Sequence, residues 1–118
     1  MSELILDGSK ILWHQDRLKQ WKEGKRFAPI TIDMALTRAC NYSCGYCYAM
    51  LQENDRHNID QKVIYDFLED CADIGVKGIS FVSDGENTIS PVFVDAVIRG
   101  KELGLSMAVG TNGYALTT

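Results

Sequence analysis

Three thiols stand within eight positions of this 118-residue chain, in the run Arg38-Ala39-Cys40-Asn41-Tyr42-Ser43-Cys44-Gly45-Tyr46-Cys47-Tyr48. The spacing C-x3-C-x2-C lets the sulfurs converge from one loop onto one small object. Thiolates select soft or borderline metals: zinc, copper(I) or iron–sulfur clusters. A disulfide framework would leave one of the three unpaired, and a closed zinc site would need a fourth ligand. Three cysteines with no obvious fourth therefore suggest a site with one open position. A 4Fe-4S cluster held by three thiolates would have such a position on its fourth iron. The alternative is a non-catalytic zinc-binding or interaction module that adds His57 or Cys71 to the same three sulfurs.

The elements around this loop read as alternating strands and helices. Ile30, Ile32, Met34 and Leu36 alternate with Thr31, Asp33 and Ala35 just after Pro29, and period two predicts a strand. Its apolar face would meet covering helices, and its small or polar face suits the inside of a barrel. The cysteine loop follows the carboxyl end of this strand, where barrels of alternating strands and helices gather their active sites. Residues 51 to 58 read as loop. Asp60 then suits an N-cap, with Ile59 and Ile64 at staple spacing. Val63, Ile64, Phe67, Leu68, Cys71 and Ile74 recur at helical period up to Gly75, which reads Cys71 as a core residue. Gly78-Ile79-Ser80-Phe81-Val82 forms a second predicted strand. Ser90 and Pro91 read as N-cap and first position of a second helix, which Gly104 closes. Leu105 to Gly110 forms a third strand, ending in Thr111-Asn112-Gly113. Three strands separated by two helices predict a parallel βαβαβ sheet.

Ahead of this lies a predicted N-terminal extension, residues 1–29. Leu4-Ile5-Leu6 and Ile11-Leu12-Trp13 flank the turn dipeptide Asp7-Gly8, which suggests a hairpin. A short helix is expected from Gln15 to Glu23, stopped by Gly24, with Trp13 and Trp21 as packing residues.

Composition narrows the class. The chain is 46% hydrophobic and 24% charged with net charge -4, as in an ordinary soluble domain, and its acidity argues against a nucleic-acid surface. No apolar run is long enough to span a bilayer. The first residues lack the basic and apolar regions of a signal peptide, so the expected compartment is the cytoplasm. There thiols stay reduced, and clustered cysteines read as metal-binding or catalytic.

The C-x3-C-x2-C run, with the aromatic Tyr46 just before its last cysteine, resembles the signature loop of the radical S-adenosylmethionine (SAM) enzymes. The resemblance covers residues 30 to 113. It implies that Cys40, Cys44 and Cys47 each bind one iron of a 4Fe-4S cluster, that SAM chelates the fourth, and that Tyr46 lies near the adenine. It implies reductive cleavage of SAM to a 5′-deoxyadenosyl radical, which abstracts hydrogen from a substrate, with a flavodoxin or ferredoxin as electron donor. It also implies a glycine-rich turn after the second strand, usually Gly-Gly-Glu-Pro, that carries the SAM amino group. Asp84-Gly85-Glu86-Asn87 occupies that place. Gly85 and Glu86 match, while Asp84 replaces a glycine and Asn87 the proline. Thr111 and Asn112 match a Thr-Asn-Gly run common at the family's third strand. The implied fold is the N-terminal half of a partial (β/α)6 TIM-like barrel, residues 30–118 being an incomplete core. A longer enzyme or a second chain is expected to supply the remaining strands and most of the substrate pocket.

Overall fold

Parallel strands cannot be joined by a tight turn, so each connection must cross the sheet, most simply as a helix. The computed structural model describes residues 9–53, 55–82 and 84–117 and has this form. Strands β1 (Thr31–Met34), β2 (Gly78–Phe81) and β3 (Ser106–Val109) make one parallel sheet in the order β1-β2-β3. Helix α2 (Gln61–Ile74) joins β1 to β2, and α3 (Phe93–Glu102) joins β2 to β3. The register aligns Ile32 with Ile79 and Met107, and Asp33 with Ser80 and Ala108.

That register sorts the two faces. Ile79 and Phe81 are buried with Leu36, Ile64, Leu68, Cys71, Val76 and Ala96, and Ile32, Met34 and Met107 pack against this core. Phe81 and Phe93 meet edge to face with centroids 6.4 Å apart. The alternate positions Thr31, Asp33, Ser80, Ser106 and Ala108 are small or polar and lie on the face without helices. The period-two reading of β1 thus holds, in a strand shorter than expected.

The ends of α2 follow local chemistry. Asp60 accepts a hydrogen bond from the Lys62 N–H at 3.2 Å. Gly75 adopts φ +93°, which glycine enters without steric cost, and the Val76 N–H closes onto the Cys71 carbonyl at 2.9 Å. Only part of the periodic stripe is covered: Ile64 and Leu68 are 0% exposed, whereas Val63 is 58% and Ile74 60% exposed.

Three local expectations are corrected. First, Ile11-Leu12-Trp13 is no hairpin arm; it belongs to a 3-10 helix, Ser9–Trp13, that runs into α1 (Gln15–Lys22). The His14 N–H bonds to the Ile11 carbonyl at 3.1 Å, a local solution that an isolated two-stranded hairpin does not better. Leu4-Ile5-Leu6, the other proposed arm, lies outside the described residues. Second, Trp13 and Trp21 are 69% and 65% exposed and do not pack in a core. The extension is instead held by Arg17, which donates to the carbonyls of Ala28 at 3.1 Å and of Gly75. Third, α3 starts two residues later than expected. A 3-10 turn, Asn87–Ile89, uses the preceding residues, and Ser90 accepts from the Val92 N–H at 3.4 Å, so the helix begins at Phe93. Among the described residues no helix is long and apolar enough to cross a membrane.

The contrast within α2 gives a direct check. Leu68→Ala should cost about 3 kcal/mol of stability, because it opens a cavity in the core. Val63→Ala, from the same periodic run, should cost less than about 0.5 kcal/mol. Chemical denaturation of the two variants measures both.

Candidate functional site

All three strands deliver their carboxyl ends to one rim. Beyond β1, Leu36 and Thr37 stay buried and carry the chain to Arg38 and the cysteine loop. The loop is pinched at its base. Thr37 pairs with Asn58 in an isolated antiparallel bridge, and the Arg38 N–H donates to the His57 carbonyl at 2.9 Å. The Leu36 N–H donates to Asn87 Oδ1 at 2.7 Å, so the turn after β2 also secures the end of β1. That bond fixes the orientation of the Asn87 amide. Its Nδ2 is buried with no partner among the described residues.

Within the loop the three cysteines are free thiols, Cys40 exposed and Cys44 and Cys47 half-buried. The Cys47 N–H bonds to the Cys44 carbonyl at 3.0 Å, and the Tyr42 N–H to Cys40 Sγ at 3.4 Å. All three line one cavity of about 330 Å³, with Arg38, Arg56 and Asp84 among its other walls. Among the described residues no group of three or more His, Cys, Asp and Glu could hold a single metal ion. The donor set fits a larger sulfur-ligated object: three thiols distributed round one concavity. Tyr46 is 93% exposed at the rim, and the neighbouring Cys44 raises its phenol pKa above the ordinary value. Cys71 lies in the core on α2, where burial pushes its thiol up, and is not brought to the loop.

The turn after β2 is pressed against the root of the loop. A Cβ on Gly85 would lie 2.1 Å from the Thr37 carbonyl oxygen and 2.8 Å from that of Ala39. The next N–H, of Glu86, donates to the Ala39 carbonyl at 2.9 Å. Asp84, which departs from the resembled glycine, has a structural partner: its Oδ2 accepts from Arg38 Nε at 2.9 Å. Arg38 also donates to the Glu53 carbonyl at 2.7 Å, so one guanidinium ties the turn to the far limb of the loop. No local sequence signal marks this pair, whose members lie 46 positions apart.

Glu86 is 4% exposed. Its Oε1 accepts from the Thr88 N–H at 3.2 Å, the Thr88 hydroxyl at 2.6 Å and the Thr111 hydroxyl at 2.7 Å. Its Oε2 accepts from the Asn112 N–H at 2.7 Å. Burial alone would raise this carboxyl's pKa, but the bonds from Asn112, Thr88 and Thr111 together hold it below the usual value. Asn112 then reaches the cysteine loop, its Nδ2 donating to Asn41 Oδ1 at 2.9 Å. Tyr114 meets Tyr42 edge to face at 6.2 Å. Of the residues singled out from sequence, Gly85, Glu86, Thr111 and Asn112 thus join the cysteine loop in one assembly. Arg38, Asn41, Thr88 and Tyr114 enter it without having been singled out; Asn41 and Thr88 had no distinguishing local signal.

Two substitutions test this construction. Gly85→Ala should destabilise by about 3 kcal/mol, since its methyl meets backbone rather than a movable side chain. Glu86→Gln should lose about 2 kcal/mol at neutral pH, because either amide orientation sets an N–H against a backbone N–H. The wild-type carboxyl has a lower pKa folded than unfolded. Its contribution is therefore present above the ordinary glutamate value, about 4.3, and is lost as pH falls through the folded value. The stabilities of wild type and Glu86→Gln should approach each other as pH falls from about 4.3 through the lowered folded value.

The comparisons agree with this geometry. The Radical SAM superfamily model matches residues 34–117. The S-adenosylmethionine-dependent nucleotide dehydratase of Pseudoalteromonas ulvae is 30% identical over 105 residues, covering 75% of this chain and 34% of that protein. GTP 3',8-cyclase of Campylobacter fetus is 31% identical over 88 residues, covering 70% of this chain and 27% of that one. In fold, the chain resembles Streptococcus suis SuiB, solved bound to precursor peptide SuiA, with TM-score 0.70, 22% identity, and coverage of 99% of this chain and 27% of that chain. The chain therefore spans about a third or less of the length of these proteins. With the cysteine loop at the carboxyl end of a parallel sheet and the family match across that whole region, this chain belongs to the radical SAM superfamily, whose fold is a TIM-like barrel.

Proposed function

We propose that this chain forms the SAM-binding front part of a radical SAM enzyme, with residues 30–118 as its share of the barrel and residues 1–29 as an extension. The observation that carries this reading is the cavity shared by Cys40, Cys44 and Cys47 at the carboxyl end of the sheet. Each of the three thiolates would ligate one iron of a 4Fe-4S cluster, leaving the fourth iron for SAM. When loaded and reduced, that group supplies one-electron cleavage of SAM to a hydrogen-abstracting 5′-deoxyadenosyl radical.

The protein's own part is to hold and orient. Arg38, fixed by Asp84 and the Glu53 carbonyl, keeps the loop closed over its thiols. The half-buried backbone of Gly85, close against the loop's root, offers the SAM amino group an acceptor, and Glu86 holds the turn that presents it. Tyr46, exposed at the rim, is free to pack beside the adenine. Thr111 and Asn112 form the wall on the β3 side. A flavodoxin or ferredoxin would deliver the electron. The relatives differ in what they are named for: a nucleotide dehydratase, a GTP cyclase and a protein bound to a precursor peptide. The stretch they share with this chain suits the common cofactor step, and the substrate would be chosen by residues outside it.

Anaerobic reconstitution with iron and sulfide tests the reading. Wild-type protein should turn brown and retain about four iron and four sulfide per chain. The triple variant Cys40→Ala/Cys44→Ala/Cys47→Ala should retain neither. A triple variant that stays brown, or a wild type that takes up zinc and no sulfide, contradicts it.

A further inference from the structure

We infer that Glu86 is a positioning residue of the SAM site, acting through Thr111, Asn112 and Asn41 and making no side-chain contact with the ligand's ammonium group. The inference rests on the SAM-binding reading above and narrows it. An acidic side chain in a turn expected to hold an amino group would ordinarily be taken as its counter-ion. Here the carboxylate is already engaged. A carboxylate offers about four lone-pair positions, two on each oxygen. Three donors crowd Oε1, and the Asn112 N–H takes one of the two positions on Oε2. With the residue 4% exposed, little of it is left for a ligand atom to reach.

What the carboxylate does instead can be followed bond by bond. It belongs to the turn after β2, yet two of its four donors come from the end of β3. Holding Thr111 and the Asn112 backbone sets the Asn112 side chain. One face of that side chain donates to Asn41, the residue immediately after Cys40. Its Oδ1 accepts from the Tyr114 N–H at 3.0 Å, which fixes the amide's orientation and leaves its donor for the loop. One buried charge thereby sets the distance between the β3 rim and the cysteine loop, the two walls between which the ligand must fit. Displacing such walls weakens everything that binds between them, whereas removing a counter-ion weakens only ligands that carry the matching charge.

The test uses full-length, cluster-loaded protein and two probes: SAM, and a SAM analogue lacking the α-amino group. Binding is read from the change each causes in the electron paramagnetic resonance spectrum of the reduced cluster. Glu86→Gln should weaken both probes by the same factor, about tenfold, with iron content unchanged. Asn41→Ala should weaken both by about threefold. The double variant should be no weaker than Glu86→Gln alone, since one path carries both effects. A loss confined to SAM overturns the inference in favour of a direct ammonium contact. Unchanged affinities, or fully additive losses in the double variant, overturn it as well. Should Glu86→Gln not fold, the exposed Asn41→Ala decides alone, and unaltered affinity for both probes is the negative result. Wild-type protein that carries the cluster but binds neither probe overturns the functional reading and this inference with it.

Discussion

The close seat of the Gly85–Glu86 turn against the root of the cysteine loop is the constraint from which the rest of the site follows. A missing side chain at one position lets backbone meet backbone, with no room for even a methyl beside the carbonyls of Thr37 and Ala39. A buried charge at the next position gathers donors from its own turn and from the third strand. Neither feature would be tolerated on its own. An unpartnered buried carboxylate is costly, and a glycine in an unconstrained turn weakens it by adding unfolded-state entropy. Together they convert three separate strand ends into one rim.

That rim explains why chemistry collects there and not elsewhere on the sheet. The helices cover the face bearing Ile32, Ile79, Phe81 and Met107, and the opposite face keeps small and polar residues. Loops at the carboxyl ends can vary without disturbing either face. The cysteine loop uses this freedom most: it leaves a buried strand end, presents three thiols, and is clamped shut by Thr37 with Asn58 and by Arg38 with Asp84. Relatives named for quite different reactions share this stretch, which is what a common cofactor-holding part attached to variable remaining structure would give.

Much of this could be read from residues alone because local rules and tertiary demands agreed. Ile30 to Leu36 alternates and its middle, Thr31–Met34, forms a strand; Asp60 and Gly75 bracket a helix; the cysteine spacing marks the loop. Legibility fails where partners are distant in sequence. Nothing local distinguishes a glutamate that faces a ligand from one that faces Thr111 and Asn112, 25 and 26 positions away. Asp84 read as a defect in a glycine-rich turn until its arginine partner, 46 positions back, was seen. The tryptophans misled for the opposite reason: hydrophobicity argues burial, but both are left mostly exposed, Trp21 only flanking a shallow apolar cavity with Leu18 and Phe27. Ser90 and Pro91 carry the right cap chemistry two residues too early: Ser90 accepts from the Val92 N–H, but regular helix begins only at Phe93.

The central claim is that three sulfurs of one loop hold an iron cluster and leave a corner for SAM. Mössbauer spectroscopy of protein reconstituted with isotopically enriched iron, recorded with and without SAM, addresses it most directly. A 4Fe-4S spectrum is expected, in which SAM changes the signal of a single iron site and leaves the others as they were. A spectrum indifferent to SAM, or one that already shows four equivalent protein-ligated irons, would contradict it.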